Sequence, residues 1–265
     1  MALKCLNYGE QGSWKSCFAL SMAAGGPIAI ADTEFAYDWY IAPHPSPRPL
    51  SNKEWQMVTL REEAKALFGI PLERTPDLYL LQSQELGKVQ EFLETFGSVP
   101  EIFGLAVDSM SVLWDMASDV AYDLQDANPK LGGLAWEPPK RSMRRFQYAL
   151  LRSRKHYVVT AHLQQKLNKE MAVIGEGPWT EKKVPHWLDV IIKHEKMAGN
   201  KVKLTVEKER SLKRVEKGDV VEPPTFMRVV EMLGGVPPVN EGVVVGEVES
   251  VEKANKNTVM RRVNG

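Results

Sequence analysis
The chain has 265 residues and is 43% apolar, enough for one large α/β core or two small ones, and no apolar run is long enough to cross a membrane. Lys and Arg total 34, as do Asp and Glu, so there is no global basic field and any nucleic-acid contact must come from local patches. The only cysteines, Cys5 and Cys17, cannot form a disulfide framework, metal-ligand spacing is absent and no signal peptide is evident, so a reduced cytoplasmic protein is expected.

The first predicted strand is Lys4 to Tyr8, followed by the turn Gly9-Glu10-Gln11-Gly12-Ser13-Trp14-Lys15-Ser16 and a helix from Lys15 to Ala24 through Cys17. Strand, Gly-containing turn, Lys-Ser and helix form the layout of a phosphate-binding loop. Successive backbone N–H groups and the helix N-terminus can hold a triphosphate. Lys15 would reach its outer phosphates and Ser16 would hold Mg²⁺. The usual Gly before the Lys is Trp14 here. Ordinary negative φ is expected at Trp14, with Gly12 taking any positive φ.

Further strands are expected at Ile28 to Ala31, Leu78 to Leu81, Phe103 to Val107 and Tyr157 to Ala161. Their apolar continuity suits strands buried on both faces of a parallel sheet. Helices are expected at Glu54 to Phe68, Glu85 to Phe96, Ser111 to Gln125 and Arg141 to Ser153. The alternation reads as βαβ units around one mostly parallel sheet flanked by helices. Leu188 to Lys193 and Val202 to Glu207, joined by Ala198-Gly199-Asn200, read as a C-terminal hairpin extension. His44 to Pro49, Asn128 to Lys140 and Gln164 to Pro185 read as loops, from their Pro, Gly and polar content. His186 and Trp187 read as the start of a core strand, and Trp39, Trp55 and Trp114 as packing anchors. Residues 1–234 are expected to form one domain, and 235–265 a weakly packed tail with a short strand at Val243 to Val245.

Carboxylates end two of the strands. Asp32-Thr33-Glu34 and Asp108-Ser109 lie where open α/β sheets bind ligands. Glu34 fits a base that polarises an attacking water, and Asp108 fits an acid that orders Mg²⁺ through water. His162 ends the strand Val158-Val159-Thr160-Ala161 and would sit beside Asp108 if the two strands are neighbours, where it could sense a γ-phosphate.

In this order of parts the chain resembles the RecA-like P-loop ATPases, over roughly Leu3 to Arg214. Asp32-Thr33-Glu34-Phe35-Ala36-Tyr37-Asp38 resembles the family's Asp-x-Glu-x-Ala-x-Asp stretch, whose Glu is the catalytic base. Val107-Asp108-Ser109 is similar to its second nucleotide motif, Met143-Arg144-Arg145 to the start of the helix before the sensor strand, and His162 to the sensor residue. Val206-Glu207-Lys208-Glu209-Arg210 resembles the late basic strand, so Lys208 and Arg210 are implied to reach a neighbouring subunit's nucleotide. The length and the Thr-Ala-His sensor are most similar to phage-encoded RecA-like single-strand annealing and recombination ATPases.

The resemblance implies ATP, Mg²⁺, single-stranded DNA, a ring or filament of like subunits, a single-strand-binding protein as a further partner, and a host cytoplasm. Two stretches would face the DNA. One holds Lys130, Trp136, Lys140, Arg141, Arg144 and Arg145; the other holds Lys166, Lys169, Trp179, Lys182 and Lys183. Cations follow phosphates and rings stack on bases. A RepA-like hexameric helicase and a nucleotide-bound DNA-coating protein with little turnover remain the alternatives.

Overall fold
The computed structural model describes residues 2–47, 54–168, 170–210 and 216–234. The expected tail, with its strand at 243–245, and Lys169 lie outside them.

The elements in chain order are β1 (Lys4–Gly9), α1 (Lys15–Leu20), β2 (Ile28–Asp32), β3 (Ile41–Pro43), β4 (Gln56–Leu60), α2 (Glu62–Leu67), β5 (Leu78–Gln82), α3 (Leu86–Ser98), β6 (Gly104–Asp108) and α4 (Met110–Ala127). Then come α5 (Glu137–Arg152), β7 (His156–Leu167), β8 (Val173–Pro178), β9 (Val190–Lys196), β10 (Val202–Glu209), β11 (Val220–Val221) and α6 (Phe226–Met232). One sheet runs β11-β10-β9-β1-β7-β6-β2-β5-β4-β3, with β8 paired to β7 off that path. From β9 to β5 every neighbouring pair is parallel; β10, β11, β4 and β3 join antiparallel. The fold is thus a mostly parallel sheet flanked by helices, with β9 and β10 forming the hairpin.

Side chains alternate across the central strands and feed two cores. Cys5, Ile30, Ala106, Val158 and Ile192 face one side with Phe18 of α1 and Phe226 of α6. Leu6, Ala31, Val107, Val159 and Ile191 face the other, under α3, α4 and α5. Burial on both faces is why these strands read as unbroken apolar runs. In α3, Val89, Phe92, Leu93 and Phe96 are buried, the spacing of one helical face. Phe92 and Phe96 pack with Trp55 and Tyr79 at ring separations of 4.7–5.7 Å. Each such side chain contributes roughly 1.5–3 kcal/mol through burial.

Several local expectations fail. Glu54 to Phe68 is not one helix but β4 followed by the short α2, because β4 pairs with β5. The stretch Asn128 to Lys140 is mostly helical: a 3₁₀ segment spans Pro129–Trp136, and α5 begins at Glu137. Pro138 and Pro139 fall in its first turn, where the N–H they lack has no intrahelical partner anyway. The stretch from Gln164 to Pro185 holds the end of β7 and all of β8, a hairpin set by cross-strand pairing. Val184–His186 forms a 3₁₀ turn, so the core strand starts later, at Val190. Trp55 is buried as expected, but Trp39 is 77% exposed and anchors nothing.

Candidate functional site
β1, β7, β6 and β2 are consecutive in the sheet. Gly9 aligns with His162, and Asp32 with Asp108. Four chain segments far apart in sequence therefore end side by side at the C-terminal edge of the parallel strands.

The turn after β1 is tightly made. Glu10 O accepts from Ser13 N at 3.3 Å and from Ser13 Oγ at 2.7 Å. A Cβ on Gly9 would stand 2.4 Å from the His194 carbonyl oxygen, so that position admits only Gly. Gly12 has φ 70°, as expected, but Trp14 also adopts positive φ, 75°. The expectation of ordinary backbone there is overturned, because the turn needs a left-handed residue directly before α1. A non-Gly residue so held costs about 1–2 kcal/mol. The half-buried ring packs against the α1 core and offsets part of that cost. Trp14→Gly should therefore leave the fold intact, with a thermal midpoint within about 5 °C of wild type and nucleotide binding at least as tight. A variant that unfolds in a thermal scan would show the ring to be a necessary core anchor.

Lys15 is 7% exposed. Its Nζ donates to Glu10 O at 2.7 Å and to Gly9 O at 3.2 Å, so the ammonium is folded into its own loop. Burial lowers its pKa, and the charges of Asp108 and Glu34 work against that shift. Asp108 is buried. Its Oδ1 accepts from the Thr160 hydroxyl, while Oδ2 is buried with no hydrogen-bond partner. The Ser16 hydroxyl lies beside this carboxylate, and burial raises its pKa despite that help.

Glu34 Oε1 lies 2.7 Å from His162 Nε2. Burial pushes the Glu34 carboxyl up, but hydrogen bonds from His162 and Ser109 outweigh it and hold the pKa low. The same bond to Glu34 raises the His162 pKa against burial. Asp32 braces this turn: its Oδ1 accepts from Glu34 N and Ala36 N, both at 3.2 Å. Burial raises Asp32 to about 6. Thr33 Oγ1 accepts from Ser109 N at 2.7 Å and donates to Ser109 O at 3.1 Å, latching the ends of β2 and β6.

The structure thus brings together Lys15, Ser16, Glu34, Asp108 and His162. Gly9 to Cys17 form the surrounding turn and the first residues of α1. Lys208 and Arg210 sit at the other end of the sheet, near Asp189, away from this chain's own loop. Lys208 Nζ is tied to the carbonyls of Pro185 and Leu188. Trp136 is half-buried and packs on Trp114 and Tyr122 of α4, at 6.1 and 5.4 Å between rings. Trp179 stays 37% exposed. Its Nε1 donates to Asp115 Oδ1 at 2.5 Å and its backbone N to His162 O at 2.8 Å. Arg144, Arg145, Lys166, Lys182 and Lys183 are exposed, and Arg144 faces Glu137 at 3.5 Å.

Sequence reading missed Thr160, the bracing role of Asp32, and His194, which supports the loop from β9. A polar residue two before His162 was the one available signal for Thr160. Nothing local marked His194.

A family model described as an AAA domain matches residues 1–217. The chain belongs to the AAA domain family. The turn after β1, with its Lys15-Ser16 pair, is the phosphate-loop element of this AAA domain. Comparison with curated proteins finds no match. Among solved structures, the RadB recombinase is similar at 15% identity and a TM-score of 0.49, over 82% of this chain and 84% of that one. Among the described residues of this AAA domain, no helix is long and apolar enough to cross a membrane, and no group of three or more metal-ligating His, Cys, Asp or Glu occurs.

Proposed function
We propose that this AAA domain binds ATP with Mg²⁺, hydrolyses it with Glu34 as base, and links turnover to single-stranded DNA. The observation that carries the reading is one hydrogen-bonded chain. Glu34 bonds His162, and the His162 carbonyl accepts from Trp179 N. Ser111 Oγ donates to Trp179 O at 2.7 Å and accepts from His162 N at 2.8 Å. The catalytic carboxylate and the exposed ring are therefore two links apart.

The residues fit the metal. Asp108 Oδ2 is a buried carboxylate oxygen without a partner, next to the Ser16 hydroxyl. Ser16 would ligate Mg²⁺ and Asp108 would hold it, in part through water. Bound there, the ion would neutralise phosphate charge. Lys15 would leave the Gly9 and Glu10 carbonyls for the outer phosphates. Glu34 would take the proton of the attacking water, and His162 would sense the γ-phosphate and hold Glu34 until released. DNA that stacks on Trp179 and follows Lys166, Lys182 and Lys183 would shift the His162 backbone and free Glu34. Lys208 and Arg210 would then serve a neighbouring copy in a ring or filament. The setting we propose is recombination or strand annealing of the phage type.

Steady-state ATP hydrolysis with and without single-stranded DNA tests this. Single strands should stimulate turnover and quench tryptophan fluorescence. Trp179→Ala should weaken single-strand binding by the roughly 1–3 kcal/mol of one stacked base. A chain that ignores single-stranded DNA at low salt with ATP present would end the DNA half of the proposal. Unwinding of a forked duplex would identify a helicase instead.

A further inference from the structure
We infer that Lys196 is a second phosphate-binding cation of the nucleotide site, delivered within the same chain by β9. The inference rests on the ATP reading above and extends it to a strand outside the nucleotide motifs.

β9 runs parallel to β1 with His194 opposite Gly9, so its end arrives in register with the loop. Side chains alternate along a strand, which puts His194 and Lys196 on one face and Lys193 and Glu195 on the other. His194 fixes the approach. It is 1% exposed, its Nδ1 donates to Ser13 O at 2.9 Å, and its ring meets Phe18 edge-on at 5.6 Å. Burial drops its pKa to about 3, so it is an uncharged strut.

Two residues on, the Lys196 ammonium lies over the loop, 3.1 Å from where a Cβ on Gly12 would stand. The neighbouring carboxylates are engaged elsewhere: Glu195 and Glu176 pair with Lys193 at 3.1 and 2.8 Å. Among the described residues Lys196 has no hydrogen-bond or carboxylate partner. Its charge adds to the burial that weakens proton binding at Lys15. Two ammonium groups thus converge on one turn of backbone N–H donors. The chemistry that satisfies such a turn is a polyphosphate.

The test is calorimetric titration of the full chain with Mg-ATP and Mg-ADP. Lys196→Ala should weaken ATP about ten- to a hundredfold, as expected when one hydrogen bond to a charged group is lost. Lys196→Glu should weaken it further, and Lys196→Arg should bind within about threefold of wild type. Thermal midpoints should not move, because the side chain is exposed. Lys196→Ala and Lys196→Glu binding ATP as wild type does, while Lys15→Ala does not bind, would overturn this inference and leave the ATP site standing. A loss in Lys196→Ala that Arg does not restore, with a lowered midpoint, would also overturn it. Undiminished ATP binding by Lys15→Ala would instead sink the nucleotide site itself.

Discussion

Lys15→Ala should reduce ATP affinity at least about a hundredfold, the scale of losing two or more charge-assisted hydrogen bonds to phosphate. No other cation is buried in the turn. The backbone donors would remain, but against a triphosphate with only an exposed cation to oppose it. The fold should survive. Lys15 is buried at a cost to its charge, and its bonds go to carbonyls of its own loop, Gly9 and Glu10, and not to any other helix or strand of the core. Titration with a fluorescent ATP analogue checks the effect, and a variant that binds as wild type does would remove the phosphate-loop assignment.

Glu34→Gln should separate binding from chemistry. The amide keeps the side chain's shape, and its oxygen can still accept from His162 Nε2. What it cannot do is take a proton from water. ATP affinity should stay within a few-fold while turnover falls by about 10²–10⁴, the usual contribution of a general base. Single-turnover hydrolysis is the cleanest readout, since product release does not enter it. An unchanged rate would move the base elsewhere, and Asp32 would be the next carboxylate to try.

The parallel strands were legible because burial on both faces writes itself as apolar runs; Ile28 to Ala31 and Leu78 to Leu81 each end one residue short of the real strand. The loop, Glu34, Asp108 and His162 were legible as strand-end residues. That Glu34 and His162 touch was not, since they are 128 residues apart and meet only through the order β7-β6-β2. β4 was misread because Trp55, Met57, Val58 and Leu60 fit a helix as well as a strand, and only pairing with β5 decides between them. Trp14 shows the reverse case: the residue type argued for ordinary backbone, and the turn imposed left-handed geometry regardless. Lys196 sat in a charged run, Lys193-His194-Glu195-Lys196, whose meaning depends on β9 lying beside β1.

β7 pairs with β6 as far as Val159 and with β1 as far as His162. It then runs on to Leu167, with β8 as its one strand partner and Leu163 at its root still packed on the core. No Gly or Pro interrupts it, so it projects from the sheet as a cantilever. The part beyond the main sheet, five residues past His162, is about 17 Å long at ~3.3 Å per residue. A tilt of about 10° at its root would swing its tip by roughly 3 Å, far more than the change in hydrogen-bond length that starts it. If the proposed coupling holds, a small rearrangement at the Glu34–His162 pair would be converted into a displacement of about one hydrogen-bond length at Lys166, enough to change its grip on a nucleic-acid strand.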